Sequence, residues 1–308
     1  MKVKKIPVEV FFGERIAALE ASGQFSTSMN YRRTCRSFLS FLAGKPLYMC
    51  DLTAEEVALY NRWLRGQGLK RNTLSFYNRI LRAVFNQAVN QGYAQPADLF
   101  RHVYTGVDAT RKRALPQQAL RRIAALTLPD PDLALARDLF LFSFQARGMS
   151  FVDMAFLTRD NLRGGALRYI RRKTGQSLEV RLEPWMEATL ARYRPLCRGP
   201  YLLPILSATE PKEAYLQYTR AISRHNRRLG VIGRMAGLPH PLSTYSARHS
   251  WATVARDMQV PLSVISSGMG HTSEKTTRIY LDSLDLALVD QANRRIWNAV
   301  SGPSGGGD

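Results

Sequence analysis

The sequence predicts a mainly helical protein of two domains that carries one small β-hairpin. Three observations predict it. Apolar residues recur at three- and four-residue spacing along most of the 308 residues. Only ALRYIRR and SLEVRL, flanking Lys173-Thr174-Gly175-Gln176, read as a pair of short strands about a tight turn. One stretch between helices, TGVDATRKRALP at 105–116, has no period, holds three consecutive basic residues and ends in proline, as an interdomain linker does.

The opening MKVKKIPVEVFF has no apolar run of signal-peptide length before a small-residue cleavage site, so it reads as mature protein. From about residue 26, Tyr31, Cys35, Phe38, Leu39 and Leu42 form an apolar stripe, with Arg32, Arg33 and Arg36 largely on the other faces. A second helix starts at Thr53, where Thr53 and Glu56 have capping-box spacing and Leu52 with Val57 can form the staple; it stops at the glycines of RGQGLK. A third runs from about Thr73 to near Gly92 with Tyr77, Ile80, Leu81, Val84, Phe85 and Ala88 on one face. These make a helical domain over 1–104, followed by the linker at 105–116.

In the second domain, 117–285, helices near 117–126 and 132–146 precede the hairpin, whose tip carries Lys173. Helices near 184–194, 211–237, from Tyr245 to Met258 and from Pro261 follow. LALVDQANRRIWNAV, at 286–300, spaces Leu286, Val289, Ala292, Ile296 and Val300 as an amphipathic helix, and 301–308 is a flexible tail.

With 44 Lys and Arg against 24 Asp and Glu, the chain carries a formal charge of +20 spread over its length, which points to a polyanionic partner, nucleic acid before others. The plainer reading is a solvated basic surface. Arg32, Arg33, Arg36, Arg71, Arg111, Lys112 and Arg113 are candidate phosphate contacts, which supply affinity without sequence information. Cys35, Cys50 and Cys197 form neither a disulfide framework nor a metal-ligand pair, which fits a reducing cytoplasm and implies no metal site. No apolar run approaches the roughly 18 residues of a membrane span.

Four polar residues belong together on chemical grounds: Lys173, Arg248 in STYSARHSWAT, His271 and Tyr280 in GMGHTSEKTTRIYL. A phosphodiester is broken without a metal when a positioned hydroxyl attacks, guanidinium and imidazole donors take up the developing charge, and an acid protonates the departing oxygen. Tyrosine suits the attack, arginine the charge and lysine the proton.

The stretch from Leu242 to Leu281 resembles the catalytic signature of the tyrosine recombinase (phage integrase) family: Tyr245-Ser-Ala-Arg248-His249-Ser250, then Gly270-His271, Thr276-Thr277, and Tyr280 nine residues past His271. The resemblance implies a SAM-like core-binding domain at the N-terminus, a catalytic domain of the DNA breaking-rejoining fold, and a 286–300 helix that docks in trans. It implies that Tyr280 forms a 3′-phosphotyrosyl link, that Lys173 protonates the 5′-hydroxyl, and that Arg248 and His271 hold the phosphate, with no cofactor. The substrate would be double-stranded recombination sites, joined through a four-way junction by a homotetramer in the cytoplasm, at the nucleoid. Accessory DNA-bending proteins are further candidate partners.

Two departures qualify the match. The family's first catalytic arginine falls on Ser150 in Arg147-Gly148-Met149-Ser150-Phe151-Val152-Asp153; Ser150 and Asp153 instead form a capping-box start. Arg147, one turn earlier, is the expected substitute guanidinium, with Arg171 or Arg172 as alternatives. The histidine expected ahead of Arg248 is Tyr245, whose ordinary pKa near 10 makes it an orienting group rather than a proton shuttle. His249 is expected to brace the fold. This combination resembles a subgroup from mobile elements and invertible loci of gut anaerobes. The competing readings are an inactive DNA-binding relative and a type IB topoisomerase.

Overall fold

The computed structural model describes residues 3–108 and 114–270, in two compact units, Met1–Arg111 and Lys112–Asp308. The first unit packs α1 (Val8–Ala21), α2 (Phe25–Leu42), α3 (Ala54–Gly66) and α4 (Arg71–Asn90). Phe11, Phe12 and Phe38 are fully buried at its centre, each stabilising the fold by roughly 1.5–3 kcal/mol. Tyr60 meets Phe38 edge-on at 5.0 Å and donates its hydroxyl to Ser37 Oγ at 2.8 Å. The expected cap forms, Thr53 Oγ1 accepting the Glu56 N–H at 3.2 Å.

Helix α1 is not among the elements that the apolar spacing predicts. Its buried Val8, Phe11, Phe12 and Ile16 have helical spacing, but Val10, Ala17 and Ala18 on other faces blur the stripe.

The expected linker at 105–116 starts inside the first unit. Asn78 Nδ2 donates to the Tyr104 carbonyl at 3.2 Å, and Ser75 Oγ donates to that of Gly106 at 2.5 Å. Asn72 exchanges two bonds with the Asp108 backbone, at 3.0 and 2.8 Å. A Cβ on Gly106 would stand 2.8 Å from the Tyr104 ring, so a side chain there would displace that ring. Gly106 and Asp108 of the linker are therefore fastened to α4, and Arg111, Lys112 and Arg113 lie outside the described residues.

The second unit contains α5 (Gln117–Ala125), α6 (Pro131–Gln145), the short α7 (Phe151–Ala155), strands β1 (Leu162–Arg163), β2 (Ala166–Ile170) and β3 (Ser177–Arg181), then α8 (Pro184–Tyr193), α9 (Pro211–Met235), α10 (Thr244–Asp257) and α11 (Leu262–Gly268). The sheet is antiparallel in the order β1-β2-β3, with Leu167 opposite Val180 and Tyr169 opposite Leu178. Two strands were expected; β1 is a third, too short for a two-residue period to show. Helix α6 packs against α8, α9 and α10, so the arginine-bearing α10 rests on a buried helix. The 286–300 and 301–308 segments lie outside the described residues. Among those described, no helix is long and apolar enough to cross a membrane.

Candidate active site

Helix α10 begins at a cap in which Ser243 and Ser246 bond reciprocally, and its first full turn carries Arg248 into the protein, 4% exposed. The guanidinium donates from Nη1 to the Gly148 carbonyl at 2.9 Å and from Nη2 to that of Met269 at 2.5 Å. Gly148 has a φ of +70°, and a Cβ there would sit 2.7 Å from Arg248 Cα. Only glycine lets the α6–α7 loop approach α10 this closely.

Arg147, just before it, also takes a left-handed φ of 58°, a costly conformation for a residue with a side chain. Its Nη1 donates to the Glu179 carbonyl of β3 at 3.2 Å. Ser150 is the N-cap of α7, accepting the Asp153 N–H at 3.3 Å, as its spacing predicts.

Strand β2 turns Leu167 and Tyr169 inward, and the two-residue period carries the next odd position, Arg171, inward as well. Arg171 is 6% exposed; its Nη1 donates to the Gly270 carbonyl at 2.7 Å, and its buried Nε has no hydrogen-bond partner among the described residues. Burial pushes the Tyr169 phenol upward and the Asp153 carboxylate adds to that, while Arg248, Arg171 and Arg147 each draw it down. All three guanidiniums therefore act electrostatically on the Tyr169 phenol.

Lys173 stands exposed in the turn between β2 and β3, where the hairpin reading expected it. Tyr245, 48% exposed, lies edge-on to His249 with ring centroids 4.8 Å apart, so His249 shares a face with Tyr245 one turn on. His271 and Tyr280 lie outside the described residues. The carbonyls held by Arg248 and Arg171, those of Met269 and Gly270, immediately precede His271 in the chain.

Of the expected phosphate contacts, Arg33 and Arg36 are exposed on α2. Arg32 is paired with Glu20 at 2.6 Å, and Arg71 lies 3.8 Å over the Tyr104 ring. Beyond these candidates, Arg220, Arg224, Arg227 and Arg234 are exposed on α9, where helical spacing puts them along one edge. Among the described residues no cluster of His, Cys, Asp or Glu could hold a metal ion.

Residues 8–100 match the phage integrase SAM-like domain. Over 279 residues the chain is 27% identical to the tyrosine recombinase XerD of Pseudomonas putida, covering 85% of this chain and 88% of that protein. Among solved structures, a lambda integrase dimer bound to a COC′ core site superposes with a TM-score of 0.66 at 15% identity, over 91% of this chain and all (100%) of that one. A lambda integrase tetramer bound to a Holliday junction gives 0.65 at 15% identity, over 92% of this chain and 81% of that one. The fold is therefore that of lambda integrase, with the SAM-like helical domain ahead of the second unit in the chain.

Proposed function

We infer that this chain is a site-specific DNA recombinase of the tyrosine type, cleaving and rejoining DNA through a 3′-phosphotyrosyl intermediate. The observation that carries the reading is the pair of buried guanidiniums, Arg248 and Arg171, held on the main chain directly before His271. Positive charge fixed in a low-dielectric site stabilises a phosphorane-like transition state without reorganising at the moment of reaction.

In the cleavage step Tyr280 loses its phenolic proton to solvent and its oxygen bonds to phosphorus. The bond from phosphorus to the 5′ oxygen breaks, and that oxygen keeps the electron pair and takes a proton from Lys173. Arg248 and His271 hold the non-bridging oxygens, and Tyr245 orients them. The 5′-hydroxyl of a partner strand then attacks the phosphotyrosine and releases Tyr280. Two rounds of this exchange pass through a four-way junction held by four protomers; a lambda integrase tetramer bound to a Holliday junction supports this reading. The substrate is double-stranded DNA, gripped by Arg33, Arg36 and the α9 edge, with accessory DNA-bending proteins and a nucleoid location as companions. The subgroup likeness points to a mobile element or invertible locus. The 286–300 helix docks on a neighbouring protomer.

For the guanidinium missing at Ser150, Arg171 is better placed than Arg147. Its side chain is buried and directed at Gly270, whereas Arg147 spends an N–H on the edge of β3. Cleavage of a nicked suicide duplex by Arg171→Ala and Arg147→Ala separates them, and full activity in either variant removes that residue.

The test of the whole reading is covalent capture: the chain is incubated with a pool of random-sequence nicked duplexes and denatured, and adducted DNA is recovered. Adducts form with the unchanged chain and vanish in Tyr280→Phe. Their absence from the unchanged chain would leave the inactive DNA binder, and relaxation without exchange between paired captured sites would make it a topoisomerase.

A further inference from the structure

The turn that carries Lys173 is fastened from outside, by α7. Asp153 is 4% exposed, and its two carboxylate oxygens do different things. Oδ1 accepts the Arg172 backbone N–H at 2.9 Å, one residue before Lys173. Oδ2 accepts the Ser150 hydroxyl at 2.7 Å. The Arg172 guanidinium then folds over the Phe156 ring at 3.9 Å, so the backbone of that residue is tied to α7 and its side chain to the C-cap residue of α7. Within the turn, Arg171 N–H bonds the Gln176 carbonyl and Gly175 N–H bonds that of Arg171, each at 2.8 Å.

We propose that Ser150, standing where the resembled family carries an arginine, is a positioning residue for Lys173: its hydroxyl sets the Asp153 carboxylate, which holds the Arg172 amide and so the main chain from which the lysine projects. The proposal rests on the recombinase reading, because the group being positioned is the acid that protonates the 5′ oxygen. The contacts give it a physical basis. A buried carboxylate needs donors on both oxygens. With the hydroxyl gone, Asp153 turns toward another donor and the turn loses its anchor. A displacement of about 1 Å at a reacting group is enough to cost on the order of 10²-fold.

The test uses the duplexes captured by the unchanged chain, prepared with the ordinary 5′ oxygen or with sulfur in that bridging position. A thiolate leaves without being protonated, so the sulfur substrate does not need Lys173. Ser150→Ala is expected to cleave the oxygen substrate about tenfold more slowly and the sulfur substrate at the rate of the unchanged chain. Lys173→Ala is expected to show the same selectivity more strongly, and Ser150→Thr, which keeps the hydroxyl, to restore the oxygen rate. Equal slowing on both substrates, or no slowing on oxygen, would overturn the proposal. If Ser150→Ala does not fold, Ser150→Gly, which also lacks the hydroxyl and is tolerated at a helix N-cap, decides by the same criterion. No adduct from the unchanged chain on either substrate overturns the recombinase reading and this proposal with it; normal adducts without the sulfur rescue overturn this proposal alone.

Discussion

Two buried charged clusters lie in the second unit, and they are built on opposite plans. Around Asp138 the charge is closed: the carboxylate takes the Arg137 Nε–H at 2.8 Å, an Arg192 N–H at 2.9 Å and the Tyr193 hydroxyl at 2.7 Å. Around Tyr169 the guanidiniums are bonded differently. Arg171 and Arg248 lean on main-chain carbonyls, and no carboxylate pairs with Arg171 among the described residues. Burying a charge is costly unless an opposite charge offsets it. The Asp138 cluster contains its own counter-charge; in the proposed function Arg171 takes its counter-charge from the DNA phosphate. Burial alone therefore does not mark a site; what each buried charge is bonded to separates the two clusters.

The contrast can be broken at several points. Asp138→Ala strands Arg137 and the Tyr193 hydroxyl, and should cost about 3 kcal/mol of stability in a urea titration, while the folded fraction keeps its cleavage rate. Arg248→Ala should do the reverse, losing about 10²-fold or more in adduct formation with a smaller change in unfolding midpoint than Asp138→Ala. Should the two variants lose stability alike, the distinction between the clusters would fall.

Gly148→Ala tests the close approach beneath Arg248. It places a Cβ 2.7 Å from Arg248 Cα at a φ of +70°, and should cost about 2 kcal/mol by thermal unfolding and slow cleavage by displacing the guanidinium. The gentlest test is pH. His225 stacks on Phe151 at 4.6 Å, and burial, with Arg228 nearby, lowers its pKa from 6.5 to about 3. Between those values the unfolded chain binds a proton that the folded one refuses, so stability falls as pH drops from about 6.5 toward about 3, by at most about 1.4 kcal/mol per pH unit. His225→Phe should flatten that slope in urea midpoints measured across the window; an unchanged slope would place the acid sensitivity elsewhere.

Much of this architecture is legible in the sequence. The stripes of α2, α3 and α4 are clean because their polar faces are strongly basic or charged, and the Thr53 cap is local chemistry that tertiary packing leaves alone. Helix α1 and strand β1 escape for opposite reasons: α1 has apolar residues on more than one face, and β1 is too short to have a period. In the site, Arg248 and Lys173 come from motif and turn, and the Ser150 cap from spacing. Arg171 was an alternative whose burial is written in the alternation of Leu167, Tyr169 and Arg171, a signal that its charge obscures. The Asp138 cluster joins residues far apart in sequence, and the contact of Gly148 with α10 exists only once the α6–α7 loop meets it, so no local pattern announces either.

The arginine bonds to Met269 and Gly270 carry one more consequence. Each guanidinium acts as a coupling between what it grips and the strand of chain it is tied to, so a phosphate that draws Arg248 and Arg171 toward itself also pulls on the peptide leading into His271. Chemical rescue exposes this double duty: guanidine added to Arg248→Ala brings back the cation but not the tether, and the shortfall from full recovery measures how much of the arginine's work is mechanical.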